Sequence, residues 1–220
     1  MALQEPDWLV AARRRPRLRG VIHQYAFYVS VALGLALVIG ADGARARTGA
    51  TTFATSVSTM LGISALYHRV VWPPDPRRVM RRLDHAAIFL LIAGTYTPFG
   101  LIALDGALRL AVLAVVWGGA AFAIVLPLAW AEAPRWVAAV AALALGWVGV
   151  IALPQIHEHA GGIGLTLLGI GGVFYTAGAI IYARRRPDPV PSVFGYHELF
   201  HVLVVAAAAC QYAAVAVVVL

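Results

Sequence analysis

The chain has 220 residues, 61% hydrophobic and 12% charged, with a mean hydropathy of +0.81. So little polar surface excludes a water-soluble globule and places the chain in a membrane. Its net charge of +7 rests on 17 Arg and no Lys, a balance that suits nucleic acid or a lipid surface depending on where the Arg residues fall.

Crossing the hydrocarbon core takes ~20 apolar residues, and seven such runs follow a basic tail over residues 1–20. The first, 21–40, stops at Asp42-Gly43. The Ala44-Arg45-Ala46 after it looks like a processing site, but a 20-residue run is long for a cleaved signal, so the first run is read as a span. The second, 50–71, ends at Trp72-Pro73-Pro74-Asp75-Pro76, and the third, 84–104, at Asp105-Gly106. The fourth, 108–129, precedes Glu132-Ala133-Pro134, and the fifth, 135–154, runs up to Gly161-Gly162. In the sixth, 162–183, Gly164, Gly169, Gly171, Gly172 and Gly178 offer small faces for close helix packing. After the polar stretch Arg184 to Pro191, the seventh is 196–219, so residues 21–220 read as one all-α membrane domain of seven transmembrane helices.

Basic loops stay in the cytoplasm. Arg13, Arg14, Arg15, Arg17, Arg19, Arg69, Arg77, Arg78, Arg81, Arg82, Arg135, Arg184, Arg185 and Arg186 fall on one side, and only Arg45, Arg47 and Arg109 on the other. This predicts a cytoplasmic amino terminus, an outside carboxy terminus, and no role in binding nucleic acid. The single cysteine, Cys210, excludes an internal disulfide and a Cys-based zinc site, and reads as a small core residue.

Ionisable groups at membrane depth are costly and mark function. His68 ends the second span one turn after Ser64, Asp84 and His85 open the third, and His197, Glu198 and His201 open the seventh, all at the cytoplasmic side. Residues four apart share a helix face, so His197 and His201 can present two imidazoles to one ion. With His68 as a third nitrogen and Asp84 as an oxygen ligand, directly or through water, the set suits four-coordinate zinc near the cytoplasmic face. Ser64 has the alternative of bonding its own helix, and His85 points about 100° from Asp84. His23 is expected to be an interfacial packing residue, and His157 and His159 part of a solvated loop on the far side.

Together, Ser64-Ala-Leu-Tyr-His68, Leu83-Asp84-His85 with Ala93-Gly94-Thr95-Tyr96-Thr97-Pro98-Phe99, and His197-Glu-Leu-Phe-His201-Val-Leu-Val-Val resemble the haemolysin III proteins. These are the bacterial branch of the progestin and adiponectin receptor family, and the resemblance runs from about residue 20 to 220. It implies a multi-pass bacterial plasma-membrane protein with intramembrane zinc, His68, His197 and His201 as ligands, Asp84 ligating or holding water, and Ser64 beside the metal. Many relatives lead into the first helix with E-x-x-N-x-x-x-H; here His23 is kept, while Pro16 and Arg19 stand at the Glu and Asn positions. The resemblance also accounts for Thr95-Tyr96-Thr97-Pro98 within a span. Pro98 removes a backbone hydrogen bond, neighbouring Thr hydroxyls are expected to serve the freed carbonyls, and the third helix should kink.

Three His and a water-holding Asp form a catalytic rather than a closed zinc site. At this depth its substrate would be a membrane lipid with an amide or ester bond, Asp84 the general base and Ser64 a stabiliser of the oxyanion. The links of adiponectin receptors to ceramide hydrolysis support that expectation. A non-enzymatic zinc-stabilised receptor or regulator of lipid state is the alternative. A pore lacks the polar stripe a lumen needs. His197-Glu198-Leu199-Phe200-His201 also spells the H-E-x-x-H of zinc proteases, but the 19 residues after His201 hold no His, Asp or Glu to complete that site. Glu198 is therefore expected to be incidental to the metal.

Overall fold

A computed structural model describes Pro6 and residues 15–129 and 135–220, leaving aside the side chains of 126–129 and 135. Arg13, Arg14 and the Glu132-Ala133-Pro134 break lie outside the described residues. Those residues form seven α-helices: α1 (Val21–Gly40), α2 (Gly43–Arg69), α3 (Pro74–Ile102), α4 (Gly106–Ala129), α5 (Arg135–Gly146), α6 (Leu153–Arg184) and α7 (Tyr196–Val219), with a 3-10 segment (Val148–Ala152) before α6. Among the described residues, five helical segments are long and apolar enough to cross a membrane: Val21–Gly40, Pro74–Ile102, Gly106–Val125, Trp136–Arg184 and Tyr196–Val219.

Helix α2 falls short of that standard because it carries five Thr, three Ser and two Arg besides its terminal His68-Arg69. Most of these hydroxyls are satisfied within the helix itself. Thr48 donates to Ala44 O (2.8 Å), Thr51 to Arg47 O (2.7 Å), Thr55 to Thr51 O (2.7 Å) and Ser56 to Phe53 O (2.8 Å). A hydroxyl that bonds its own helix leaves little unmet polarity for the surroundings.

Small residues then let the first three helices approach closely. A side chain at Gly34 would meet Ala54, one at Gly62 would meet Phe27, and one at Gly49 would meet Pro98 Cα at 2.8 Å. Ser30 and Ser58 share a hydrogen bond of 3.0 Å in the same α1–α2 register. Extended toward the other end, these antiparallel registers set Gly20 on His68 and Ser64 on Asp84. Helix α7 completes the bundle against α6 through Gly171 and Gly178, and against α1 through a hydrogen bond from the Tyr212 hydroxyl to Leu33 O (3.1 Å).

Four boundaries differ from expectation, the first being that α2 starts at Gly43 rather than at residue 50. Helix α3 starts at Pro74, ten residues before its apolar run, because Pro fits the first helical turn and the intervening Arg residues are good helix formers. Asp84 and His85 therefore lie inside a helix that projects beyond the apolar stretch. Past them, α3 continues through Pro98 to Ile102, and the Thr95 and Thr97 hydroxyls bond Leu91 O and Ala93 O (both 2.8 Å), so neither serves the carbonyl of Gly94 that Pro98 frees. The fifth apolar run is not one regular helix: α5 ends at Gly146, and the next helix begins at Leu153 and is interrupted only at Gly161, whose φ of 60° and ψ of −170° are not helical.

Tyr96 explains the first interruption. Its hydroxyl donates to Gly146 O (2.5 Å) and accepts from Gly149 N (2.7 Å), replacing helix bonds at the α5 end, and only glycine at 149 leaves room for its ring. Tyr96→Phe strips two backbone groups of their partner, so unfolding in detergent should occur at lower temperature, with roughly 1–3 kcal/mol lost. An unchanged melting temperature would show that this contact does not shape the α5 end.

Candidate metal centre

His68 closes α2 and is buried, with Ser64 one turn earlier on the same face. Helix α7 supplies His197 and His201 from its first two turns. That helix start is well satisfied: Glu198 Oε2 accepts from Gly195 N (2.9 Å), and Asp188 Oδ1 accepts from Tyr196 N (2.7 Å). Two carboxylates at a helix amino terminus also meet its positive end.

The three imidazoles converge. Their nitrogens lie within 4.8 Å of one another, and Nε2 of His197 is 3.2 Å from Nε2 of His68. Ring centroids are 4.7 Å apart for His68 and His197, 4.9 Å for His68 and His201, and 4.6 Å for His197 and His201. A tetrahedral zinc with ~2.0–2.1 Å bonds sets its ligand nitrogens ~3.3 Å apart, so these residues fit such an ion. Asp84 Oδ2 stands 3.9 Å from His68 Nε2, and the Ser64 hydroxyl interacts with the same carboxylate. Asp84 is outside the tight three-nitrogen group, a placement suited to holding a water. Tyr67, Tyr182, Tyr196 and Phe200 pack around the imidazoles.

Not every candidate arrives. The His85 ring turns back to Arg81 O (2.7 Å) on its own helix, and exposed His159 does the same to Gln155 O (3.1 Å). Neither these nor His157 belongs to the group of nitrogens that could hold an ion.

Two features were not anticipated. His23 is not interfacial: it is 2% exposed and stacks on His201 with centroids 3.8 Å apart and planes 3° from parallel. One ring edge nears the His201 backbone, but among the described residues neither nitrogen finds a partner in hydrogen-bonding geometry. A buried nitrogen without a partner costs roughly 1–3 kcal/mol, so the ring calls for a polar neighbour.

Nor is Glu198 incidental to the fold. It is 1% exposed, and its Oε1 accepts from Arg19 Nε at 2.5 Å while Oε2 holds the α7 start. Arg19 belongs to a strap over residues 15–20, in which Arg17 N donates to Ser192 O, Leu18 N to Val193 O (both 3.1 Å) and Arg15 Nη1 to Val70 O (3.4 Å). The strap ends at Gly20, whose φ of 78° and closeness to His68 both exclude a side chain; a Cβ there would lie 2.7 Å from His68 Cβ. The only signal for this pair was the exchange of Asn for Arg at position 19, opposite an acidic residue whose place in the fold was unknown.

Residues 11–212 match a protein family described as haemolysin-III related. The chain is 30% identical to hemolysin-3 of Bacillus cereus over 195 residues, 87% of this chain and 86% of that protein. It is 30% identical to a hemolysin-3 homolog of Bacillus subtilis (strain 168) over 162 residues, 74% and 73% of the two chains.

Glu198→Gln should keep the metal and lower stability by about 1–3 kcal/mol, since Arg19 keeps a neutral acceptor and is itself 22% exposed. Pairing it with Arg19→Met should recover part of that loss in thermal unfolding, whereas strictly additive losses would deny the coupling. Gly20→Ala forces a left-handed alanine against His68, and isothermal titration should show zinc affinity reduced about tenfold or more, matching a penalty of ~1–2 kcal/mol for that backbone conformation. Unaltered affinity would mean that Gly20 does not support the ligand.

Proposed function

The chain belongs to the haemolysin-III-related family, the bacterial branch of the progestin and adiponectin receptor family, and on that premise we propose a seven-span plasma-membrane protein that holds zinc for hydrolysis of a lipid amide or ester. The convergence of His68, His197 and His201 beside Asp84 is the observation that carries this reading.

Seven crossings are supported by two features. The 49-residue stretch Trp136–Arg184 is ~74 Å as continuous helix, far more than one crossing requires, and is interrupted at Gly161. Helix α2, 27 residues long, masks much of its polarity by internal bonding. The Arg distribution favours a cytoplasmic amino terminus, with the imidazole cluster near that face.

Bound zinc would polarise the substrate carbonyl and acidify water toward pKa ~7. His68, His197 and His201 would hold the ion as neutral donors. Asp84 takes the proton as the water oxygen bonds to the carbonyl carbon, and Ser64 steadies that carboxylate. As the bond from carbon to the amide nitrogen or ester oxygen breaks, Asp84 returns its proton to the departing group. The acyl chain remains among the apolar helix faces.

A second reading, a zinc-stabilised receptor or regulator of membrane lipid state, is favoured by the 129 residues that separate His68 from His197. An ion joining them ties the two halves of the chain whether or not it is catalytic.

Elemental analysis should find one zinc per chain, lost in His68→Ala and in His197→Ala. The zinc-loaded protein should release fatty acid from an acyl-amide or ester lipid, and Asp84→Asn should keep its zinc while losing turnover about 10²–10⁴-fold. A fully loaded protein inert toward a broad panel of such lipids would leave the receptor reading.

A further inference from the structure

Helix α1 is mostly a lipid-facing helix, with only His23, Gly34 and Leu37 buried in it. One of those three is a histidine laid against the candidate metal centre. It is not in the group of nitrogens that could share an ion, and its stacking geometry shows why. An ion bound by His201 lies in the plane of that ring. The His23 ring runs 3° from parallel to it and one ring thickness away, at 3.8 Å between centroids. Lone pairs in the His23 plane therefore cannot point at an ion in the His201 plane. They can point at a small group standing on that ion and leaning toward α1.

Burial sharpens the point. Both His23 nitrogens are enclosed, and among the described residues neither reaches a hydrogen-bond partner, the His201 backbone lying nearest to one of them, although a neutral imidazole carries one donor and one acceptor. His68 and Asp84 stand on the other helices, so His23 is the polar group that α1 contributes to the same chamber. The stack on His201 and the Gly20 contact at the helix start hold it there.

We propose that His23 is the hydrogen-bonding partner of the oxygen at the open position of the metal: that of the water at rest, and the oxyanion that develops on the substrate carbonyl as that water adds to it. This rests on the zinc reading given above and adds a substrate-contacting residue from α1 to it. Its role is recognition by hydrogen bonding rather than ligation.

Cobalt(II) can replace zinc as a visible reporter, and acetohydroxamate is a small carbonyl-like anion that occupies an open metal position. Titrated into the full-length cobalt protein, it should bind wild type, and bind His23→Phe at least tenfold more weakly with an altered cobalt absorption band. His23→Phe preserves a flat stacked ring without its nitrogens, while His23→Gln restores a polar group and should recover part of the affinity. Both variants should hold one cobalt per chain. Equal acetohydroxamate affinity in wild type and His23→Phe would reduce His23 to a packing residue, and loss of cobalt from both variants would make it a ligand or part of the framework; either result overturns the assignment. The titration requires no turnover, so it is read separately from whether a lipid is hydrolysed.

Discussion

How closely α2 approaches its two neighbours determines where His68 lies relative to α1 and to Asp84. Helices in a bilayer gain little from hydrophobic exclusion and depend instead on surface fit, which small residues improve. Gly34 and Gly62 on the α1 side, and Gly49 on the α3 side, permit that fit along much of the helix. Their registers, carried to the strap end, bring His68 beside Gly20 on one side and Asp84 on the other. A bulky residue midway along α2 would thus disturb the centre from a distance, by turning or displacing the helix that carries His68.

A second constraint comes from charge. Burying a carboxylate is costly unless it is paired, and Glu198 is paired twice over, with the Arg19 guanidinium and the Gly195 amide. The pair joins the strap to the first turn of α7, and this first turn carries His197. Where many relatives have Glu and Asn before the first helix, this chain has Pro16 and Arg19, and Glu198 supplies the matching negative charge from α7.

Much of this was legible in the residues because apolar run length is a strong local signal. The seven runs map onto the helices within a few residues at most ends, and Asp42-Gly43, Asp105-Gly106 and Gly161 fall at real interruptions. Where the reading slipped, something nonlocal or nonhydrophobic decided the outcome. Helix α3 begins ten residues ahead of its apolar run because Pro74 starts it, and α5 stops short because Tyr96, about fifty residues earlier in the chain, takes over its terminal bonds. The convergence of His68, His197 and His201 was foreseeable from membrane depth alone. The burial of His23 was not, because a histidine at the start of a lipid-facing helix and one turned inward have the same hydropathy; only the α1–α2 register tells them apart.

That register also clarifies the H-E-x-x-H spelling of α7. In such a motif the glutamate acts on water at the metal, which requires one of its oxygens to be available there. Adjacent residues on a helix point about 100° apart, so His197 and His201 can face α2 while Glu198 faces the strap. Here Oε1 is held by Arg19 and Oε2 by the Gly195 amide. The carboxylate nearest the imidazoles from another helix is Asp84, 3.9 Å from His68. On the proposed reading, proton transfer would accordingly fall to a residue more than a hundred positions upstream, while the middle of the motif joins the strap to the start of α7.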